Sequence, residues 1–360
     1  MMEQDHLFWV ALTAFRPFGP VRLSRLAKRF PTMERAFNAS ALELTEAGIE
    51  PHVASRFLQE RIHIDPEALM RECSVQGVQV VTIKDEIYPT LLKEIYDPPA
   101  VLFIRGTLPD PSRKHLAVVG SRKASQYGLR VTERLIEPAA RAGVVIVSGL
   151  AYGIDAHAHD AALRAQGCTI AVLGSGVDQQ SIYPSAHRAL ASRILAEGGA
   201  LISEFPLGTP PLKQNFPFRN RIIAGLCHGT LVIEATVKSG TLITARSATD
   251  SNREVYAVPG PIDSPLSEGP NELIKNGATP VTDVRDLFGI ESVPEPTPTY
   301  QPTNAEETLI YSRLSHIPTH LDELVRSTQL PTPAVMSTLT LMEMKGAIKN
   351  EGGQFYTRHT

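Results

Sequence analysis

The sequence predicts an α/β protein built on a central Rossmann-like, doubly wound and mostly parallel sheet. A small helical domain of the SAM or helix-hairpin-helix kind precedes the sheet, and a winged-helix domain follows it. Three observations carry the prediction. From 115 to about 290, short apolar runs ending in Gly or a polar residue alternate with helix-like segments; near-continuous apolar strands between helices mean a parallel sheet covered on both faces. Residues 1 to about 75 show helical periodicity alone. Residues 305–360 show three helical patterns and then a glycine-turned strand pair, "AIKNEGGQFYT".

In chain order, domain 1–75 starts with an apolar stripe of Leu7, Phe8, Val10, Leu12 and Phe15, and a second of Val21, Leu23, Leu26 and Phe30. "GP" at 19–20 and "FPT" at 30–32 punctuate them. The next domain, 76–290, opens on an extended lead-in, "VQVVTI" and "AVLFIRG". Its strands are then "HLAVVG", "VVIVSG", "TIAVLG", "ALISEF", "TLVIEA" and "EVYAVPG". Helices are expected at 128–142, 155–166, 185–197, 219–227 and 241–251. The stretch 291–304, "ESVPEPTPTYQPTN", has four prolines and no apolar period, which makes it a semi-rigid linker to domain 305–360.

Composition excludes several classes. The 360 residues are 42% hydrophobic and 20% charged with a net charge of −3, so a protein that coats nucleic acid through overall positive charge is excluded, while a local basic patch is not. Cys73, Cys168 and Cys227 are far apart and form no C-x-x-C pair, which argues against a disulfide framework or zinc knuckle and fits a reducing cytoplasm. Neither a signal-peptide pattern nor a membrane-length apolar run is present. No membrane contact and no cofactor is expected.

Ligands of an open α/β sheet lie beyond the C-terminal strand ends, and five polar motifs fall there. In "VVGSRKASQYG", Gly120 ends a strand and Ser121 and Arg122 open the loop into a helix; free N–H groups, the helix dipole and a forked guanidinium suit a phosphate. In "VSGLAYGIDAHAHDAAL", Ser148 and Gly149 end the next strand, where they could line the groove, and Asp155 suits an N-cap. His157 and His159 point apart at i, i+2, so no metal site is expected. "LGSGVD" places Gly174 in a glycine-rich turn lining the groove; Gln179 stands where a dinucleotide fingerprint ends in Gly. "FPFRNRIIAGL" puts Arg219, Asn220 and Arg221 behind Phe216 and Phe218. One arginine could reach a ligand while the other pairs internally, and the rings could stack on bases or pack under the sheet edge. In "EATVKSGTLITARSA", Lys238, Ser239, Gly240 and Thr241 lead from a strand into a helix; this is not a G-x-x-x-x-G-K-[ST] loop. No nucleophile–base pair accompanies these motifs, so the site is expected to bind phosphates without cleaving them.

In the order "VGSR", "SGLAYGIDAHAH", "ISEFPLG", "FPFRNRIIAGL", "EATVKSGTLITA", "REVYAVPG" and "NELIKNGATPV", these motifs resemble the DNA-processing protein A family, DprA or Smf. The resemblance implies a non-enzymatic recombination mediator that binds single-stranded DNA in natural transformation. It also implies a protein that loads RecA onto strands covered by single-strand-binding protein, and that dimerises through the late part of the Rossmann-like domain. Arg122 falls at a DNA-phosphate contact of that family, and "FPFRNR" and "KSGT" line the same pocket. The chain departs from the family pattern at Tyr152 and at His187 of "YPSAH". Two other classes fit parts of the pattern. The fold is similar to that of lysine-decarboxylase-like nucleotide hydrolases, but Thr244 stands where their catalytic Glu would be and cannot carry its charge. A small-ligand sensor with the winged helix as output is the third reading.

Overall fold

The structure is a computed structural model and describes residues 2–290, 300, 302–315 and 317–358. Residues 291–299 and 301 of the expected linker lie outside the described residues. The chain forms two compact units, 1–293 and 294–360.

The first unit begins with helices α1 (Met2–Ala14), α2 (Pro20–Arg29), α3 (Met33–Phe37), α4 (Ala41–Glu46), α5 (Pro51–Glu60) and α6 (Pro66–Val75). Proline opens α2, α5 and α6, where its missing N–H costs nothing and its φ is already helical. A capping box starts α4: Ser40 N–H donates to Glu43 at 2.8 Å and Glu43 N–H to Ser40 Oγ at 3.3 Å. Trp9, Phe15, Phe18 and Phe57 form the aromatic centre of these helices. Val21 was expected in the second stripe but is 53% exposed; Leu23, Leu26 and Phe30 carry that face. The same apolar cluster runs on into Val101, Phe103 and Leu201 of the sheet, so the helices cover one sheet end and are not isolated from it.

The sheet follows as β1 (Val78–Thr82), β2 (Val101–Gly106), β3 (His115–Val119), β4 (Val145–Ser148), β5 (Thr169–Val172), β6 (Ala200–Ser203), β7 (Gly229–Val232), β8 (Glu254–Ala257) and β9 (Thr279–Pro280). Its helices are α7 (Thr90–Lys93), α8 (Gln126–Arg141), α9 (Ile154–Arg164), α10 (Arg188–Ala196), α11 (Asn215–Gly225), α12 (Thr241–Asp250) and α13 (Glu268–Lys275). Spatial order is β1-β2-β6-β5-β4-β3-β7-β8-β9. The lead-in strands β1 and β2 are antiparallel and extend the edge beyond β6; every pairing from β6 to β9 is parallel. From β3 the chain winds outward through β4, β5 and β6, then returns to β7 on the other side of β3. The crevice above β3 and β7 is therefore the topological switch point, where doubly wound sheets bind ligands.

The second unit holds α14 (Ala305–Arg313), β10 (Thr319–His320), α15 (Leu321–Thr328), α16 (Thr332–Met344), β11 (Ile348–Gly352) and β12 (Phe355–Arg358). Three helices and a β10-β12-β11 sheet make a winged helix, cored by Ile310, Leu324, Val335, Leu339 and Met342. The outward positions of α16 include Met336, Thr340, Leu341 and Met344, and none of its residues is basic. Among the described residues no helix is long and apolar enough to cross a membrane.

Candidate nucleic-acid interface

Three loops meet at the switch point. Gly120 directly follows β3; a Cβ there would lie 2.5 Å from Ile154 Cγ1, so only glycine lets α9 pack this close. Ser121 O accepts from Ile154 N–H at 3.2 Å, and Ser121 Oγ accepts from Lys123 N–H at 3.1 Å. The turn holds Arg122 at the surface, its guanidinium carbon 5.6 Å from the centroid of the Phe216 ring. From the second loop, Thr241 Oγ1 donates to Gly120 O at 3.1 Å and accepts from Ser239 Oγ at 2.9 Å. Asn220 Nδ2 reaches Gly240 O at 3.4 Å. The segments carrying Arg122, Lys238 and α11 are thus tied into one rim. Arg122 and Lys238 are exposed and make no ion pair among the described residues.

The N-terminus of α8 is occupied by the chain itself. Ser125 Oγ accepts from Gly128 N–H at 3.0 Å. The buried Glu234 carboxylate, just past β7, accepts from Ser125 N–H at 2.9 Å and from Ser125 Oγ. A Cβ on Gly128 would stand 2.3 Å from Glu234 Oε2. Where dinucleotide folds seat a pyrophosphate on this dipole, a fixed carboxylate stands instead. The sequence predicts a helix end that favours a ligand anion; Glu234 is the anion, and the Arg122 loop lies beside it. In the sequence Glu234 shows only as the polar end of the run "TLVIEA". The pattern that could have revealed it is an acid directly after a strand, facing an S-x-x-G helix start.

The head of α11 divides its residues sharply. Phe218 is 59% exposed; Phe216 is half-buried, its ring tilted against the exposed Tyr183 at 5.7 Å between centroids. Asn215 Nδ2 donates to Gly174 O at 3.0 Å, and Gly174 leaves just enough room for Phe216. Arg219, however, is only 3% exposed. Its Nη1 donates to Val172 O at the end of β5, and its guanidinium fills the space where Gly149 has no side chain. Burial pulls its pKa down to about 10 against the opposing pull of Asp155. Asp155 is not the N-cap expected of it: Gly153 holds that place, and Asp155 Oδ2 accepts from Gly149 N–H at 3.1 Å. Burial pushes the Asp155 carboxyl up; Arg219, then the backbone hydrogen bonds from Ala151 and Gly149, and last Arg122 pull it back. Arg221 faces the opposite way, paired to Asp97 at 3.0 Å and Glu204 at 2.5 Å.

Arg219 and Arg221 were expected at the phosphate pocket, one of them reaching the ligand while the other pairs internally; the structure makes both of them internal braces, because each finds carbonyl or carboxylate partners below the surface. Ser148 and Gly149 were expected to line the groove and are buried under it, with Ser148 Oγ donating to Val118 O at 2.6 Å. Gly174 is likewise buried. The departures Tyr152 and His187 pack edge to face at 4.9 Å. His159 is a core residue bonded to Thr169 Oγ1 at 2.7 Å, its pKa pushed down to about 3 by burial. No group of metal-binding side chains occurs among the described residues.

An open, mostly parallel sheet with exposed cations and aromatic rings at its switch point, and a carboxylate where a pyrophosphate would sit, defines a nucleotide-binding type of fold without a dinucleotide seat. The comparisons name the family within that class. Residues 79–290 match the family described as DNA recombination-mediator protein A, and residues 294–354 match the DprA winged helix domain. The chain is 41% identical over 320 residues to Protein Smf of Escherichia coli, covering 86% of this chain and 84% of that one. It is 45% identical over 222 residues to DNA processing protein DprA of Bacillus subtilis, 61% of this chain and 73% of that one. Among solved structures, DNA processing protein A of Streptococcus pneumoniae aligns with a TM-score of 0.66 at 36% identity, over 78% of this chain and 96% of that one. DNA processing protein A of Helicobacter pylori, whose structure describes a single-stranded DNA binding mode, aligns with a TM-score of 0.51 at 28% identity, over 59% and 94%. The chain belongs to the DprA/Smf family of DNA-binding recombination mediators.

Proposed function

We propose that the chain holds single-stranded DNA across the switch point and mediates recombination without chemistry of its own. The carrying observation is the pair of exposed, unpaired cations, Arg122 and Lys238, set on one rim beside the Phe216, Phe218 and Tyr183 rings. Cations tracking phosphates beside aromatic faces are what a sequence-tolerant single-strand site requires. Gly120, Ser121, Ser239, Gly240 and Thr241 shape the rim, Asn220 ties it to α11, and Arg219 and Arg221 hold the platform from below. Loading of RecA onto strands covered by single-strand-binding protein, homodimer formation, a cytoplasmic location and the division of the chain at 75/76 and 290/305 belong to the same proposal.

The test is a titration of oligothymidylate and of a matched duplex at two salt concentrations. Tight, salt-sensitive single-strand binding that exceeds duplex binding is expected, followed by RecA filament growth on strands coated with single-strand-binding protein. Release of free base from a nucleoside monophosphate by the purified protein would overturn the non-enzymatic reading.

A further inference from the structure

Tyr152 and His187 belong neither to the cation rim nor to the apolar core. Tyr152 is 47% exposed, and its ring meets His187 edge to face at 4.9 Å between centroids. Its hydroxyl makes no hydrogen bond among the described residues. The backbone around it is strained and tightly held. Leu150, two residues earlier, is buried with φ at 57°, a left-handed conformation that a Leu side chain disfavours. Its carbonyl accepts from His187 Nδ1 at 2.8 Å. A carbonyl can only accept, so Nδ1 carries the hydrogen and the imidazole is fixed in one orientation under Tyr152. On the other side Gly153 has φ at 75°, and a Cβ there would stand 2.2 Å from Ser121 O and 2.8 Å from Arg122 C. Tyr152 is therefore seated directly against the Arg122 loop. Strain of this kind gathers at ligand clamps, where the surrounding structure enforces it.

The rings are continuous with those of the rim. Tyr183 and His187 leave one short turn, in which His187 N–H donates to Pro184 O at 2.9 Å. Tyr183 is tilted against Phe216 at 5.7 Å, and Phe216 lies under the Arg122 guanidinium at 5.6 Å. Two aromatic pairs, Phe216 with Tyr183 and Tyr152 with His187, thus adjoin one unpaired cation. We propose that Tyr152 is a base-stacking residue and His187 its positioning residue. A single strand with one phosphate on Arg122 lays the adjoining base on the Tyr152 face, so it runs from the Phe216–Tyr183 pair over Arg122 to the Tyr152–His187 pair. This rests on the single-strand reading of the switch point. Every base has a π-face, so the step tolerates any sequence.

The full chain is titrated at low salt with the shortest oligothymidylate that saturates it and with an abasic oligomer of equal length. Tyr152→Ala is expected to weaken oligothymidylate binding at least about fivefold, the lower end of the value of one stacked base, and abasic binding less than about twofold. Tyr152→Phe keeps the ring and is expected to bind both oligomers within about twofold of wild type. His187→Ala is expected to weaken oligothymidylate binding and spare abasic binding, a selectivity that a general loss of structure would not produce. An equal loss on both oligomers with Tyr152→Ala, or no loss on either, overturns the proposal. Tyr152→Trp is the second variant, read by fluorescence; the native Trp9 is 1% exposed in the helical domain and serves as a constant background. Quenching by oligothymidylate and not by the abasic oligomer supports the stacking contact, and a bound strand without quenching overturns it. Arg122→Ala keeps the two readings apart, since it is expected to weaken both oligomers alike. If it weakens neither, the phosphate reading of Arg122 has failed, and the quenching of Tyr152→Trp decides the stacking contact by itself.

Discussion

Arg122→Ala and Arg219→Ala remove the same guanidinium from opposite sides of one platform, and the structure separates their consequences. Arg122 is exposed, makes no side-chain hydrogen bond or ion pair among the described residues, and lies over the Phe216 face at 5.6 Å. An exposed cation–π contact is worth about 0.5–1 kcal/mol, so its loss shifts the melting temperature by no more than ~1–3 °C in a unit of this size. A charge-assisted hydrogen bond to a phosphate is worth about 1.5–3 kcal/mol, so single-strand affinity falls roughly 10- to 100-fold. Each phosphate contact adds about 0.7 to the slope of log K against log salt for single strands. Arg122→Ala is therefore expected to make that slope shallower by ~0.7 as well.

Arg219→Ala acts the other way. It strips Val172 O of its donor and leaves Asp155 buried without its facing charge. Breaking a buried charge arrangement by removing one partner costs about 3–5 kcal/mol, or a fall of roughly 10 °C. The assay is fluorescence anisotropy of a labelled oligothymidylate from low to moderate salt, beside thermal unfolding of each variant. An Arg122→Ala protein with wild-type affinity and slope refutes the placement of the phosphate site. So does an Arg219→Ala protein that melts like wild type but has lost the strand, since that result would put Arg219 at the ligand.

Four further outcomes follow from the same geometry. Arg221→Ala orphans the partly buried carboxylates of Asp97 and Glu204 and is expected to lower stability by about 3–5 kcal/mol in denaturant titration, with strand affinity falling less than for Arg122→Ala. Gly149→Ala drives a Cβ to 2.3 Å from Arg219 Nη1; overpacking of this kind costs about 1–3 kcal/mol, readable as the same melting shift without a change in salt slope. In the winged helix, Lys345 at 2.7 Å, the Thr303 N–H and the Tyr300 hydroxyl bring the Glu307 carboxyl from the ordinary 4.5 down to about 2. A depressed carboxyl stabilises the fold above its unfolded pKa, so this contribution is lost as pH falls from about 4.5 toward 2. Thermal scans across that range check it, and Lys345→Met is expected to flatten the dependence. Met336→Glu with Met344→Glu adds two charges to an α16 face that carries no basic residue and is expected to leave single-strand affinity within about twofold.

What could be read from the sequence divides along physical lines. Apolar runs that end in glycine reveal a buried parallel sheet because both faces of each strand must be hydrophobic, and β3 to β8 fall where those runs stand. The exposure of Arg122 was legible too: the tight loop after the first parallel strand sets it next to Lys123, and both cations are left at the surface. Arg219 and Arg221 were not. Helical spacing shows that residues i and i+2 point apart, but it cannot show what either side chain meets, and both meet partners brought from elsewhere in the chain. Val172 and Asp155 hold one; Asp97 and Glu204 hold the other. Glu234 was hidden for the same reason, since its partner Ser125 lies 109 residues away. A charge that reads as a ligand contact becomes a brace whenever the fold supplies its counter-charge at lower cost than the ligand would. That is why the two arginines most conspicuous in the sequence underlie the platform, while Arg122 and Lys238 stay exposed and make no ion pair among the described residues.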